Sequence, residues 1–145
     1  TAPTVELPDA GAAASTWPAG FYGVSVVVTT GGDTRTTNEL PLSLASTIDS
    51  VSPNPAARDG SGDVTLTVVF APDLQPRQRA SLLVGSREVP LDAVTAPTGS
   101  AAVTVRSAPA GDQFVRLRVD GVDTLLVDRS VDPPVFDPSQ TVTIT

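Results

Sequence analysis

A short segment of this chain occurs twice. Pro18-Ala19-Gly20 leads into Phe21-Tyr22-Gly23-Val24-Ser25-Val26-Val27-Val28, and Pro109-Ala110-Gly111 leads into Asp112-Gln113-Phe114-Val115-Arg116-Leu117-Arg118-Val119. The two prolines lie 91 residues apart, close to the length of one small β-sandwich, which is about 100 residues. The chain is thus expected to hold pieces of two similar β units. Only 17 residues precede Pro18, so the first unit is expected to be cut short.

The remaining pattern agrees with β structure throughout. Val64, Leu66, Val68 and Phe70 alternate with Thr65, Thr67 and Val69, the period of a half-buried strand. Ala80 to Val84, Arg87 to Leu91, Ala101 to Val105 and Thr141 to Thr145 read as further strands. Val115, Leu117 and Val119 share one face of a strand, with Arg116 and Arg118 on the other. Asp120-Gly121 follows as a two-residue hairpin signal, and Asp123 to Val127 is the expected partner strand. The first unit has the same plan: Phe21 to Thr29 goes out, Gly31-Gly32 turns, and Thr34 to Leu44 returns. Val131-Asp132-Pro133-Pro134-Val135-Phe136-Asp137-Pro138 resists strand pairing, because each proline lacks a donor. It is expected to form an extended arm or loop, with Phe136 anchoring it into a neighbouring surface.

These elements place the chain in the all-β class, as an immunoglobulin-like β-sandwich with a partial second (N-terminal) sandwich unit. A boundary is expected near Ala45 to Thr47. Residues 1–45 supply the C-terminal strands of a truncated first immunoglobulin-like unit, and residues 46–145 a complete sandwich of about seven strands. Alone, the first unit's strands present an unpaired edge and an uncovered apolar face. They are expected either to pack on the second unit or to need upstream sequence.

Composition removes most catalytic chemistries. The 145 residues contain no Cys and no His, which excludes disulfides, thiol nucleophiles and the commonest general base and metal ligand. The nine basic residues are Arg35, Arg58, Arg77, Arg79, Arg87, Arg106, Arg116, Arg118 and Arg129; without Lys there is no Schiff base and no P-loop lysine. A net charge of −7 opposes binding to nucleic acid and to anionic membranes. No apolar run approaches the ~20 residues that span a bilayer. Met is absent and the chain opens on Thr1, so a fragment or processed product is expected.

Four groups of residues invite a functional reading. Asp59-Gly60-Ser61-Gly62-Asp63 spaces oxygens like a calcium loop, but an EF-hand needs Gly and Glu where Val64 and Phe70 stand. It reads as a Gly-rich turn. Asp120, Asp123, Asp128, Asp132 and Asp137 make the C-terminal third acidic, and paired carboxylates about 5–10 Å apart hydrolyse glycosides. No pocket-forming aromatics accompany them, so they read as solvated strand ends. Arg116 and Arg118, joined by Arg79, Arg87 and Arg106, form either a solvated outer face paired with carboxylates or an interface patch. Trp17, Phe21 and Tyr22 suit a sugar- or protein-binding cluster, or a structural corner in which Tyr22 ties a loop to a strand; Gln113 takes that place in the second unit. No catalytic, cofactor-binding or metal-binding residue is expected.

Several runs resemble the C-terminal region of a bacterial protein family encoded with contractile injection systems, the phage-tail-like particles. They are Trp17-Pro18-Ala19-Gly20-Phe21-Tyr22, Arg35-Thr36-Thr37-Asn38-Glu39-Leu40-Pro41-Leu42, Gln78-Arg79-Ala80-Ser81-Leu82-Leu83-Val84-Gly85-Ser86-Arg87-Glu88-Val89-Pro90, Val115-Arg116-Leu117-Arg118-Val119-Asp120-Gly121-Val122-Asp123, Val127-Asp128-Arg129-Ser130 and Pro134-Val135-Phe136-Asp137-Pro138-Ser139-Gln140. The family is regarded as the cap, or tail terminator, whose N-terminal domain sits as a hexameric ring on tube and sheath. That domain has no counterpart in this chain. The resemblance implies a structural, non-enzymatic protein, the peripheral immunoglobulin-like region of the cap, with a role in assembly or docking. It implies tube, sheath or cap copies as partners, a homo-oligomer of hexameric size, no nucleic acid, no direct membrane insertion and no cofactor. The implied location is a cytoplasmic particle released extracellularly on lysis. The alternative is a carbohydrate- or surface-binding β-sandwich module centred on Trp17.

Overall fold

Gly31 and Gly32 have φ of 60° and 90°, the left-handed pair that a two-residue hairpin turn demands. In the computed structural model, which describes residues 17–145, they join β2 (Val27–Thr30) to β3 (Asp33–Thr36). The same hairpin is extended by β1 (Gly20–Val24), which pairs with β4 (Leu40–Leu44). Both expected strands are present, but each is split. Val24 opposes Leu40 and Val27 opposes Thr36, so two outgoing residues face three returning ones, the count of a β-bulge. Thr37 bridges the break: its amide donates to Val26 O at 2.9 Å, and its hydroxyl accepts from Val26 N at 3.0 Å. The part of the expected first unit before Trp17 lies outside the described residues.

After the hairpin comes β5 (Thr47–Ser52). β6 (Val64–Leu74) buries Val64, Leu66, Val68 and Phe70 and exposes Thr65, Thr67 and Val69. It continues past Phe70 through Ala71-Pro72, where its register on β9 (Thr98–Val105) shifts. A bulge is where a strand tolerates a proline. β5, β6 and β9 form one sheet in that order.

The opposing sheet contains β7 (Ala80–Val84), β8 (Arg87–Pro90), β10 (Gly111–Val119), β11 (Val122–Asp123) and β14 (Thr141–Ile144). Its order is β11-β10-β7-β8, with β14 beside the first half of β10. Asp120 and Gly121, at φ 48° and 87°, make the expected turn between β10 and β11. Leu66, Val68, Val103 and Val105 from the first sheet meet Leu82, Val84, Val115, Leu117, Val119, Val142 and Ile144 from the second in one core. The whole is an all-β, immunoglobulin-like sandwich, with the split hairpin as the partial unit ahead of it.

Two expectations about the C-terminal third are corrected. The partner of β10 does not run from Asp123 to Val127. After Asp123, only Thr124 stays in register, through Thr124 N to Leu117 O (2.9 Å) and Leu117 N to its hydroxyl (3.2 Å). The chain then leaves, because β14 occupies the next ladder positions along β10. Residues 131–138 do not resist strand pairing throughout either. β12 (Val127–Asp128) pairs with β13 (Val135–Phe136), and Pro133-Pro134 falls in the loop between them, where no donor is needed. A 3₁₀ turn (Pro138–Gln140) leads into β14. Phe136 packs on Phe114 of β10, in the larger sheet, with ring centroids 4.9 Å apart, and so anchors this segment on a neighbouring surface as expected.

The free side of β14 is covered by residues 54–58. Ala56 N donates to Thr143 O (2.8 Å), and Thr145 N donates to Ala56 O (2.9 Å). Asn54 extends this ladder with its side chain, Nδ2 donating to Thr141 O (2.9 Å) and Oδ1 accepting from Thr143 N (3.0 Å).

Candidate functional site

The densest polar arrangement lies on the outer face of the larger sheet. Arg116 opposes Leu83, which opposes Glu88; Arg118 opposes Ser81. These registers put Arg116, Arg118, Glu88 and Ser81 on one face. The Asp120–Gly121 turn folds Asp123 back opposite Arg118. Asp123 Oδ2 accepts from Arg116 Nη1 (2.9 Å) and Arg118 Nη2 (3.1 Å), while its Oδ1 accepts from Arg118 Nε (2.5 Å). Arg118 Nη1 reaches both Glu88 oxygens at 3.1 Å, and the Ser81 hydroxyl donates to Glu88 Oε1 at 2.6 Å. The hydrogen bond from Arg118 holds the Asp123 carboxyl below the ordinary aspartate range against the opposing effect of burial. The same bond keeps the Arg118 guanidinium charged.

Of the five arginines expected to gather, only Arg116 and Arg118 do. Arg87 opposes Val84, one residue out of phase with Glu88, and that offset turns it to the other face. It lines an open groove of about 760 Å³ between β8 and β9, together with Asp63, Glu88, Asp92 and Arg106. Arg79 contributes no side-chain bond to this cluster; its backbone amide donates to Asp120 Oδ1 in the turn at 2.9 Å. Sequence reasoning misses Ser81 and Glu88 as members of this cluster. Their only signal is the Gly85-Ser86 turn, which sets the β7–β8 register.

The acidic residues are engaged locally rather than gathered in a cleft. Asp128 accepts from Ser130 N (2.8 Å) and Oγ (2.6 Å), and Asp137 from Ser139 N (2.9 Å) and Oγ (2.7 Å). These bonds, led by the serine hydroxyls, push both carboxyls below the usual range. A general acid needs the opposite shift. Asp59 Oδ1 accepts from Ser61 N (2.8 Å) and Asp63 N (3.0 Å), and Asp63 Oδ1 accepts from Ser107 N (2.8 Å). The loop thus spends its oxygens on backbone amides, as a turn does. Among the described residues, no group of three or more His, Cys, Asp or Glu side chains gathers to hold a metal ion.

Tyr22 donates its hydroxyl to Pro18 O, and burial raises its pKa. Trp17 stacks obliquely on it, ring centroids 5.2 Å apart at 52°. The pair ties the entry of β1 to the chain before it. Phe21, on the other face of β1, is 66% exposed.

Residues 46–145 match the model of a family described as a domain of unknown function, DUF8756. The match covers more than half of the chain and coincides with the complete sandwich; the chain belongs to that family. No curated protein matches it.

Proposed function

We propose that this chain is a structural, non-enzymatic component of a contractile injection system particle. It would form the peripheral immunoglobulin-like region of the cap, or tail terminator, and serve in assembly or docking. The observation that supports the reading is the repeated Pro-Ala-Gly hairpin, which suits a tandem of like sandwich units of the kind the sequence resemblance implies. The ion-paired outer face adds support: Arg116 and Arg118 are already neutralised by Asp123 and Glu88, which suits a surface held rigid for contact. Copies carried on a six-fold ring would gain avidity without tight individual binding. The particle would assemble in the cytoplasm and leave the cell on lysis, with tube, sheath or other cap copies as partners. No helix among the described residues is long and apolar enough to cross a membrane.

The test is a pull-down from the native host with the protein tagged at its C-terminus, read by mass spectrometry. Sheath, tube and baseplate proteins are the expected partners. Recovery of a cell-surface or glycan partner in their place would overturn the particle reading and favour the surface-binding module.

A further inference from the structure

The two hairpins are the same element in register as well as in sequence. Gly20, Phe21, Tyr22 and Gly23 oppose Leu44, Ser43, Leu42 and Pro41. Gly111, Asp112, Gln113 and Phe114 oppose Ile144, Thr143, Val142 and Thr141. Gly20 and Gly111 each begin their strand at positive φ, 152° and 90°. β4 is therefore the counterpart of β14, a correspondence hidden in the sequence by the longer excursion between β11 and β14.

Alternation along paired strands puts Tyr22, Val24, Leu40, Leu42 and Leu44 on one face of the first hairpin. Their counterparts are Gln113, Val115, Gln140, Val142 and Ile144. Val115, Val142 and Ile144 are 0–1% exposed beneath the β5-β6-β9 sheet, whereas Val24, Leu40 and Leu42 are 42%, 61% and 38% exposed. Val26, Val27 and Val28 beyond them are exposed too. A two-stranded hairpin with an open apolar face is marginal in water. The second unit does not cover this face; Ala19 is the one residue of the hairpin region that joins its core.

We propose that this face is the inner layer of a second sandwich. Its occupant is a three-stranded antiparallel sheet with an alternating apolar face, of the β5-β6-β9 kind, joined ahead of Pro18 as β5 to β9 are joined ahead of Pro109. The interface already present in the chain specifies that occupant, because there the same hairpin in the same register is covered in this way. The occupant is the same whether or not the particle reading holds.

The test supplies the cover. A chimera carries residues 46–108 joined directly to Pro18 and continues to Thr145, reproducing the Ala108–Pro109 connection. Hydrogen exchange of the Val24–Val28 and Leu40–Leu44 amides is expected to slow by at least ~10-fold relative to the unfused chain, and Leu42→Asp in the chimera is expected to cancel the gain. The unfused chain is itself the second measurement. It is expected to sediment as a monomer and to enhance the fluorescence of an anilinonaphthalene sulfonate dye. The triple variant Val24→Thr, Leu40→Thr, Leu42→Thr should lose that enhancement and keep the unfolding midpoint of residues 46–145. Unchanged exchange in a folded chimera overturns the proposal. So does dye binding indifferent to the triple substitution, and so does a stable dimer protected at these amides, which would make the occupant a second copy.

Discussion

Asp123 holds two arginines at once. Arg116 and Arg118 keep 33% and 35% of their side chains in water, which screens the attraction, so replacing Asp123 by Asn is expected to cost about 1 kcal/mol rather than the several of a buried pair. The dependence on pH is the sharper measurement. The folded carboxyl titrates below its ordinary range, so between the two values the folded state binds fewer protons than the unfolded chain. The stabilisation is complete above the unfolded pKa of about 3.9 and is lost as pH falls through the lowered folded value. Thermal melts of the parent and Asp123→Asn should differ at pH 6 and converge as pH falls through the lowered folded value; a constant gap would show that charge is not the cause. This part of the site is half legible in the sequence. Arg116 and Arg118 are two residues apart on a strand and must share a face. Their partners Ser81 and Glu88 are set by strand register, which no local spacing reveals, and the same register removes Arg87.

At the scale of elements, β14 relies on residues 54–58. Asn54 uses its amide as if it were another ladder residue, with one bond to Thr141 and one to Thr143. Asn54→Ala removes both and leaves two strand groups to water. The expected cost is about 1–3 kcal/mol at a net 0.5–1.5 kcal/mol per bond, with faster exchange of the Thr143 amide and little change elsewhere. A variant that melts normally with an unaltered Thr143 amide would show that water replaces the side chain at no cost. Elements with a strong local signal are legible from the residues alone: β6 by alternation, and the Asp120-Gly121 and Gly31-Gly32 turns by the φ they require. β14 is legible as a strand but not as the second half of the partner of β10. That pairing joins Phe114 to Thr141 across 27 residues, and it depends on where the chain leaves the ladder after Thr124. The bulge that lets β6 continue past Pro72 is hidden for a related reason, since a proline reads locally as a stop.

For the whole molecule, the question is whether residues 46–145 need what precedes them. Apart from Ala19, the residues of the core cluster lie beyond residue 46. From the described residues before 46, Ala19 adds a small buried side chain, its carbonyl accepts from Gln78 Nε2 at 2.7 Å, and Phe21 lies beside Gly121. One hydrogen bond and one alanine side chain are together worth about 1–2 kcal/mol. Part of that is returned on truncation: Ser46 Oγ is buried without a hydrogen-bond partner, and cutting the chain ahead of it opens it to water. Residues 46–145 are therefore expected to fold alone, with an unfolding free energy within about 2 kcal/mol of the full chain's. The denaturant slope decides the matter more sharply than the midpoint, because it scales with the surface exposed on unfolding. If the hairpin lies outside the cooperative unit, its removal leaves the slope nearly unchanged while dye binding falls. If the slope drops in proportion to the length removed, or if 46–145 does not fold, the hairpin belongs to the sandwich that follows it. The open face of β1 and β4 would then be an outer surface of that sandwich rather than the inner layer of another.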